Sequence, residues 1–164
     1  MAERAELHDD LGATASDGTL LVVTIACGRF WPHVVIALRF EPGPESGFVP
    51  GVVVIPKTQL LLIGAGTRLL AYDLKDPRRL WEDVADVGFL GWKRHGNVLV
   101  MSAELELAAW TLDGAKLWST FVEPPWDYEV FDGKLHLDVM GKRSDFDLVD
   151  GPRSPGAGQQ TIAD

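Results

Sequence analysis

The sequence predicts an all-β protein, an antiparallel meander of propeller-like four-stranded units, and three observations support this prediction. A fifteen-residue pattern occurs twice, from Leu60 to Leu74 and from Val98 to Leu112, at an offset of 38 without a gap. A Leu-Trp pair follows each copy, ending at Trp81 and at Trp118. The apolar runs are short and end at Gly, Asp or Pro, where a strand can reverse. A small or incomplete propeller is therefore expected, with a β-sandwich as the alternative.

Two strands are predicted ahead of the repeats. Residues 19–26 are almost continuously apolar, which indicates a strand buried on both faces, and residues 33–40 form a second strand with alternating character. Together they can supply a first, degenerate unit. Residues 1–18 are acidic and weakly patterned, so we expect a short helix or a loose lead-in there.

The repeat units are placed near residues 51–82, 87–121 and 126–150. In each of the first two, an additional strand precedes the repeated pair, which makes four strands per unit. The third copy keeps the turn glycine but lacks a closing Leu-Trp pair, so it is either terminal or partial. The Pro124-Pro125 pair marks a unit boundary, because proline cannot donate to a strand ladder. Residues 19–150 are expected to form a single domain, and residues 151–164 a disordered tail.

Composition excludes several classes of partner. The chain has 15 basic and 24 acidic residues and a net charge of −9, which disfavours a nucleic-acid or anionic-membrane surface. No apolar stretch reaches the roughly 18 residues that a membrane helix needs. Cys27 is the only cysteine, and the N-terminus lacks the order of a signal peptide. A cytoplasmic protein is expected.

The aromatic residues fall into two groups. Trp81 and Trp118 occupy equivalent repeat positions, and Trp110 is equivalent to Tyr72, so these four rings are predicted to dock adjacent sheets on each other. The other tryptophans have no such pairing, and exposed rings beside turns could stack on a sugar, a peptide or a ligand ring. The predicted ligand or partner surface comprises Trp31, Trp92, Trp126, Asp127, Glu123, His136 and Asp138.

Chemistry-bearing motifs are weak. His136 and Asp138 share a strand face, but no serine or cysteine nucleophile is evident near them, and paired carboxylates are common on the solvent faces of acidic proteins. Cys27, His33, His95 and His136 show no metal-ligand spacing. The glycines near residue 65 fail as a dinucleotide loop, because Leu69 holds the third glycine position. The sequence thus predicts no catalytic residues, no metal and no cofactor, and it disfavours an enzyme without excluding one.

The repeat resembles that of quinoprotein-type (PQQ-like) β-propellers, in which an apolar strand and a glycine turn precede Leu-x-Ala-x-Asp and then Leu-Trp. Leu69, Ala71 and Asp73, followed by Leu80 and Trp81, fit this pattern. The second copy keeps Leu107, Ala109, Gly114, Leu117 and Trp118 but has Thr111 in place of the aspartate. The resemblance covers about 90 residues of the chain. It implies that Trp81 and Trp118 dock one blade on the next, and it carries no enzymatic role.

These observations favour a non-catalytic binding or scaffold module, an accessory or immunity-type protein that holds a partner protein, with self-association as a further option. The alternative is a small carbohydrate- or ligand-binding protein or a hydrolase that uses Trp126 with the neighbouring carboxylates.

Overall fold

A computed structural model describes residues 5–26, 33–43 and 47–153, and within them the chain forms fourteen strands. The strands are β1 (Leu7–Leu11), β2 (Thr19–Ile25), β3 (Val34–Phe40), β4 (Gly51–Ile55), β5 (Leu60–Ala65), β6 (Arg68–Asp73), β7 (Arg78–Val84), β8 (Phe89–His95), β9 (Val98–Ala103), β10 (Glu106–Thr111), β11 (Lys116–Phe121), β12 (Trp126–Phe131), β13 (Lys134–Val139) and β14 (Lys142–Asp147). The predicted all-β class is confirmed. The described residues contain no helix with the length and apolarity needed to cross a membrane.

The strands form four separate sheets in chain order. Sheet A has the order β1-β3-β2, sheet B β4-β5-β6-β7, sheet C β8-β9-β10-β11 and sheet D β12-β13-β14. Sheets B, C and D are antiparallel throughout, with each strand paired to its neighbour in the chain. The fold is therefore a meander of small units, consistent with an incomplete propeller or a sandwich.

The sheets pack in the order A, B, C, D. One apolar cluster joins sheet A to one face of sheet B, two join the other face of sheet B to sheet C, and a fourth joins sheet C to sheet D. The central strands of sheets B and C are consequently covered on both faces. This explains why β5 and β9 are nearly continuous apolar runs and do not alternate.

Two expectations for the N-terminal region were wrong. The described part of the lead-in, residues 5–18, forms a strand and contains no helix: β1 pairs in parallel with β3, and the Tyr72 hydroxyl donates to Asp9 Oδ2 at 2.9 Å. Strand β2 is also not buried on both faces. Leu20 and Val22 are exposed, because sheet A packs on another sheet through one face only.

The repeated tryptophans lie in equivalent surroundings. The Trp81 indole N–H donates to the Gly114 carbonyl of sheet C at 2.7 Å, and the Trp118 N–H donates to the Leu148 carbonyl beyond β14 at 2.8 Å. Trp81 also stacks on Trp110 of the next sheet, with ring centroids 5.9 Å apart. Each indole therefore extends from the last strand of its own sheet to the following sheet. There it contacts the third strand or the turn that follows that strand.

The equivalent aromatics on β6 and β10 face the other way. Tyr72 is fully buried against sheet A, and Trp110 is buried against sheet B. Phe146 on β14 continues the series, since its ring meets Trp118 edge-on at 5.4 Å. At the B–C interface and at the C–D interface, a tryptophan from the last strand of the earlier sheet thus packs on an aromatic residue from the third strand of the later sheet.

Candidate functional site

The face of sheet D that points away from sheet C carries the candidate site, and we call it the terminal face. Side chains alternate between the two faces along β12, β13 and β14. Every second residue, such as Tyr128, Leu135 or Leu137, faces sheet C, and the residues that alternate with them face outward. Cross-strand pairing then arranges the outward side chains in three rows: Asp127, Asp138 and Arg143; Glu129, His136 and Asp145; Phe131, Lys134 and Asp147.

A groove of about 800 Å³ runs over the terminal face. Its wall includes four residues of the predicted partner surface, Trp126, Asp127, His136 and Asp138. The remaining wall is formed by Pro125, Tyr128, Glu129, Leu137, Met140, Gly141, Arg143 and Asp145. The structure therefore gathers residues from three strands into one concave surface.

The groove is acidic, and part of its charge is balanced internally. His136 Nδ1 lies 2.8 Å from Asp145 Oδ1, and Arg143 Nε donates to Asp138 Oδ2 at 3.3 Å. Within the part of the chain that the structure describes, no Lys, Arg or His side chain pairs with Asp127 or Glu129. These two carboxylates on β12 remain available to a cationic ligand.

Trp126 has a mainly structural setting despite lining the groove. It belongs to the apolar cluster between sheets C and D, where its ring stacks on Tyr128 with centroids 6.5 Å apart. Its indole N–H donates to the Glu104 carbonyl at 3.0 Å. Since its polar atom and much of its surface are engaged, the indole is poorly placed as a stacking platform.

Two predicted surface residues, Glu123 and Trp92, do not line the groove. Glu123 is exposed but lies outside the groove wall, and Trp31 lies outside the described residues. Trp92 is only half-buried, but it does not line the groove. It packs between sheets B and C, edge-on to Trp110 at 5.4 Å, and its indole nitrogen is buried without a hydrogen-bond partner. Trp92 packs in this interface because its side chain lies on the face of β8 that is turned toward sheet B.

Glu129, Arg143 and Asp145 line the groove but are not among the residues of the predicted partner surface. Glu129 could have been found from alternation, because it stands two residues after Asp127 on the same strand. Asp145 is opposite His136 only through the register of the β13–β14 hairpin. That register follows from the two-residue turn at Met140-Gly141, where both residues have positive φ.

A second polar cluster lies between sheets C and D. His95 and Tyr128 meet edge-on with ring centroids 5.9 Å apart, and the Lys93 ammonium lies 5.8 Å from the Tyr128 ring. Burial, together with the Lys93 charge, lowers the pKa of His95 below its ordinary value, and burial raises the pKa of Tyr128. Both shifts favour the neutral forms of the two side chains.

We expect His95 to make the fold acid-sensitive. Because the pKa of His95 is lower in the folded than in the unfolded chain, protonation favours unfolding. Stability should fall as pH drops below about 6.5, the usual histidine pKa, and level off below the folded pKa. The measurement is the urea midpoint against pH for wild type and His95→Gln, with NMR titration of the His95 ring. Equal pH dependence in both proteins would contradict the expectation.

The terminal face presents mainly ionic side chains. The His136 and Asp145 pair could orient a base, but no serine or cysteine lines the groove to act as a nucleophile. Among residues 5–26, 33–43 and 47–153, no three His, Cys, Asp or Glu side chains are arranged to hold a metal ion.

The described residues form four packed β-sheets in series, and the last sheet carries an acidic face that no other described sheet covers. No protein-family model and no curated protein sequence matches the chain.

Proposed function

We propose that this protein is a non-catalytic binding module, of the accessory or immunity type, that holds a partner protein on the terminal face. The observation that carries the proposal is the groove itself. Both faces of sheets B and C are covered by neighbouring sheets, whereas no other described sheet covers this face of sheet D, which is lined by charged side chains from three strands.

The chemistry of the groove favours a basic segment of the partner. The three rows contain five carboxylates against the permanent cations Lys134 and Arg143. Such an excess attracts a Lys- or Arg-rich segment and repels acidic ones, which contributes specificity and association rate. Asp127 and Glu129 are the residues we expect to pair with it.

Apolar anchors flank the charged rows. Phe131 is 76% exposed at one end of the face, and Met140 is 59% exposed at the other. Exposed rings and methionines beside a polar surface are typical of residues that become buried in an interface and supply much of its affinity. The proposed partner therefore carries apolar side chains on either side of its basic segment.

We place this activity in the cytoplasm. The single cysteine among 164 residues supports a reducing compartment, in which disulfides are not used for stability. A carbohydrate-binding function is supported less well, because the Trp126 ring it requires is stacked on Tyr128 and its N–H is already bonded.

The test starts from a photo-crosslinker placed at Glu129 in cells of the natural host, with the same group at Val84 on sheet B as control. A protein captured from position 129 and not from position 84 is expected. Its affinity should then fall about tenfold, roughly 1.4 kcal/mol, in the double variant Asp127→Asn with Glu129→Gln.

The matched control is Glu41→Gln with Asp76→Asn, which removes the same two charges away from the terminal face. It should leave affinity unchanged. Calorimetric titration at several salt concentrations gives both values, and the wild-type affinity should weaken as salt is raised. Equal losses in the two double variants, or hydrolytic activity that Asp127→Asn abolishes, would overturn the proposal.

A further inference from the structure

Among the described residues, sheet D has one strand fewer than sheets B and C. Strand β14 holds the position of β6 and β10, which pair on their far sides with β7 and β11. Among the described strands, β14 pairs with β13 alone. Within this part of the chain, the far side of β14 is therefore an open edge at the position of a fourth strand.

The turn before β14 shows which backbone groups face this open edge. Met140 and Gly141 both have positive φ, as in a two-residue hairpin turn, so Val139 and Lys142 form its closing hydrogen-bonded pair. Bonds to β13 then recur at every second residue, Ser144 and Phe146. The N–H and C=O groups of Arg143 and Asp145 point to the open edge.

The charges of β14 are arranged for pairing with an identical strand. The strand begins with Lys142 and Arg143 and ends with Asp145 and Asp147. Charged edge strands usually repel one another, which protects sheets from association. In an antiparallel copy of β14, however, the basic end of one strand meets the acidic end of the other.

One register satisfies both the hydrogen bonds and the charges. A two-fold axis at Ser144 sets Arg143 opposite Asp145 of the second copy, twice, with the free backbone groups facing each other. An axis at Asp145 would instead oppose two identical carboxylates. The Asp147 carbonyl, moreover, already accepts the Gly151 N–H. The Ser144 axis also lays the Lys142 stem opposite Phe146, a ring that is only half-buried.

We propose that β14 pairs antiparallel with β14 of a second copy, which supplies the fourth strand and joins two sheets D into one six-stranded sheet. This goes beyond the proposed function and does not depend on it. The two terminal faces then lie side by side on one surface of the dimer, since the two-fold axis is perpendicular to the sheet.

Charge reversal tests the pairing. Arg143→Glu and Asp145→Lys each create two like-charge contacts across the axis, so each variant alone should sediment as a monomer under conditions where wild type is a dimer. The double variant restores both attractions and should dimerise. An equimolar mixture of the two single variants should form a mixed dimer, which native mass spectrometry identifies by its mass.

Arg78→Glu is the control, because it reverses an exposed arginine on the open edge of β7 and should leave the dimer intact. Recovery in the mixture also shows that the single variants are folded. A wild-type protein that stays monomeric at millimolar concentration, single variants that dimerise as wild type does, or a mixture without mixed dimers would each overturn the proposal.

Discussion

Replacing Trp118 with alanine should lower the free energy of unfolding by about 3–5 kcal/mol, the usual range for a buried tryptophan. The indole is 8% exposed, meets Phe146 edge-on and donates to the Leu148 carbonyl. Its removal empties the interface between sheets C and D and leaves that carbonyl unpaired. Since sheet D contributes the whole groove, loss of this docking contact should also weaken partner binding. Urea unfolding, followed by tryptophan fluorescence and circular dichroism, measures the first effect.

Phe121→Ala is the control for Trp118→Ala. Phe121 lies on the same strand, β11, but is 65% exposed, so its removal should change stability by less than about 0.5 kcal/mol. Similar losses for the two variants would show that Trp118 does not dock the sheets. Trp118→Phe should fall between them, because it keeps a ring and loses the hydrogen bond.

Gly64→Ala should destabilise the fold by about 1–3 kcal/mol, although it adds a single methyl group. A Cβ at this position would lie 2.4 Å from two atoms of the Phe89 ring. Phe89 is fully buried between sheets B and C, so the ring cannot swing away, and the two sheets must separate to admit the methyl. Thermal unfolding of the variant and wild type at one protein concentration measures the loss.

Gly91→Ala provides the matched substitution. Gly91 lies on β8 near Phe89, and a Cβ there would have no heavy atom within 4 Å. The change should be neutral or slightly stabilising, since alanine restricts the unfolded chain. If both glycine variants unfold at the wild-type temperature, the close approach of sheet B to Phe89 is not a determinant of stability.

The Trp118 and Gly64 predictions both concern the separation between consecutive sheets. Trp81 and Trp118 set that separation at the last strands of sheets B and C, while glycines permit close approach at the first two strands of sheet B. Gly51 and Gly64 both lie against the Phe89 ring. A binding face built on the last sheet therefore depends on contacts made well behind it.

The sequence by itself determined the strand pattern, because hydrophobic period and turn residues are local properties. The repeat at Leu60–Leu74 and Val98–Leu112 gives strand pairs at equivalent places in sheets B and C, and the Leu-Trp pairs gave the residues that bridge them. His136 and Asp138 share one face for the same reason, since alternation along a strand is read directly from spacing.

The tertiary structure decided what depends on neighbours distant in sequence. Trp92 resembles a surface ring in sequence, and only packing of sheet C on sheet B partly buries it. The short lead-in becomes a strand because β3 offers it a parallel edge and Tyr72 a hydrogen bond, neither of which is local. Likewise, Asp145 reaches His136 through hairpin register. The openness of the terminal face follows from the absence of a further sheet over sheet D in the described chain, a property of the whole assembly of sheets.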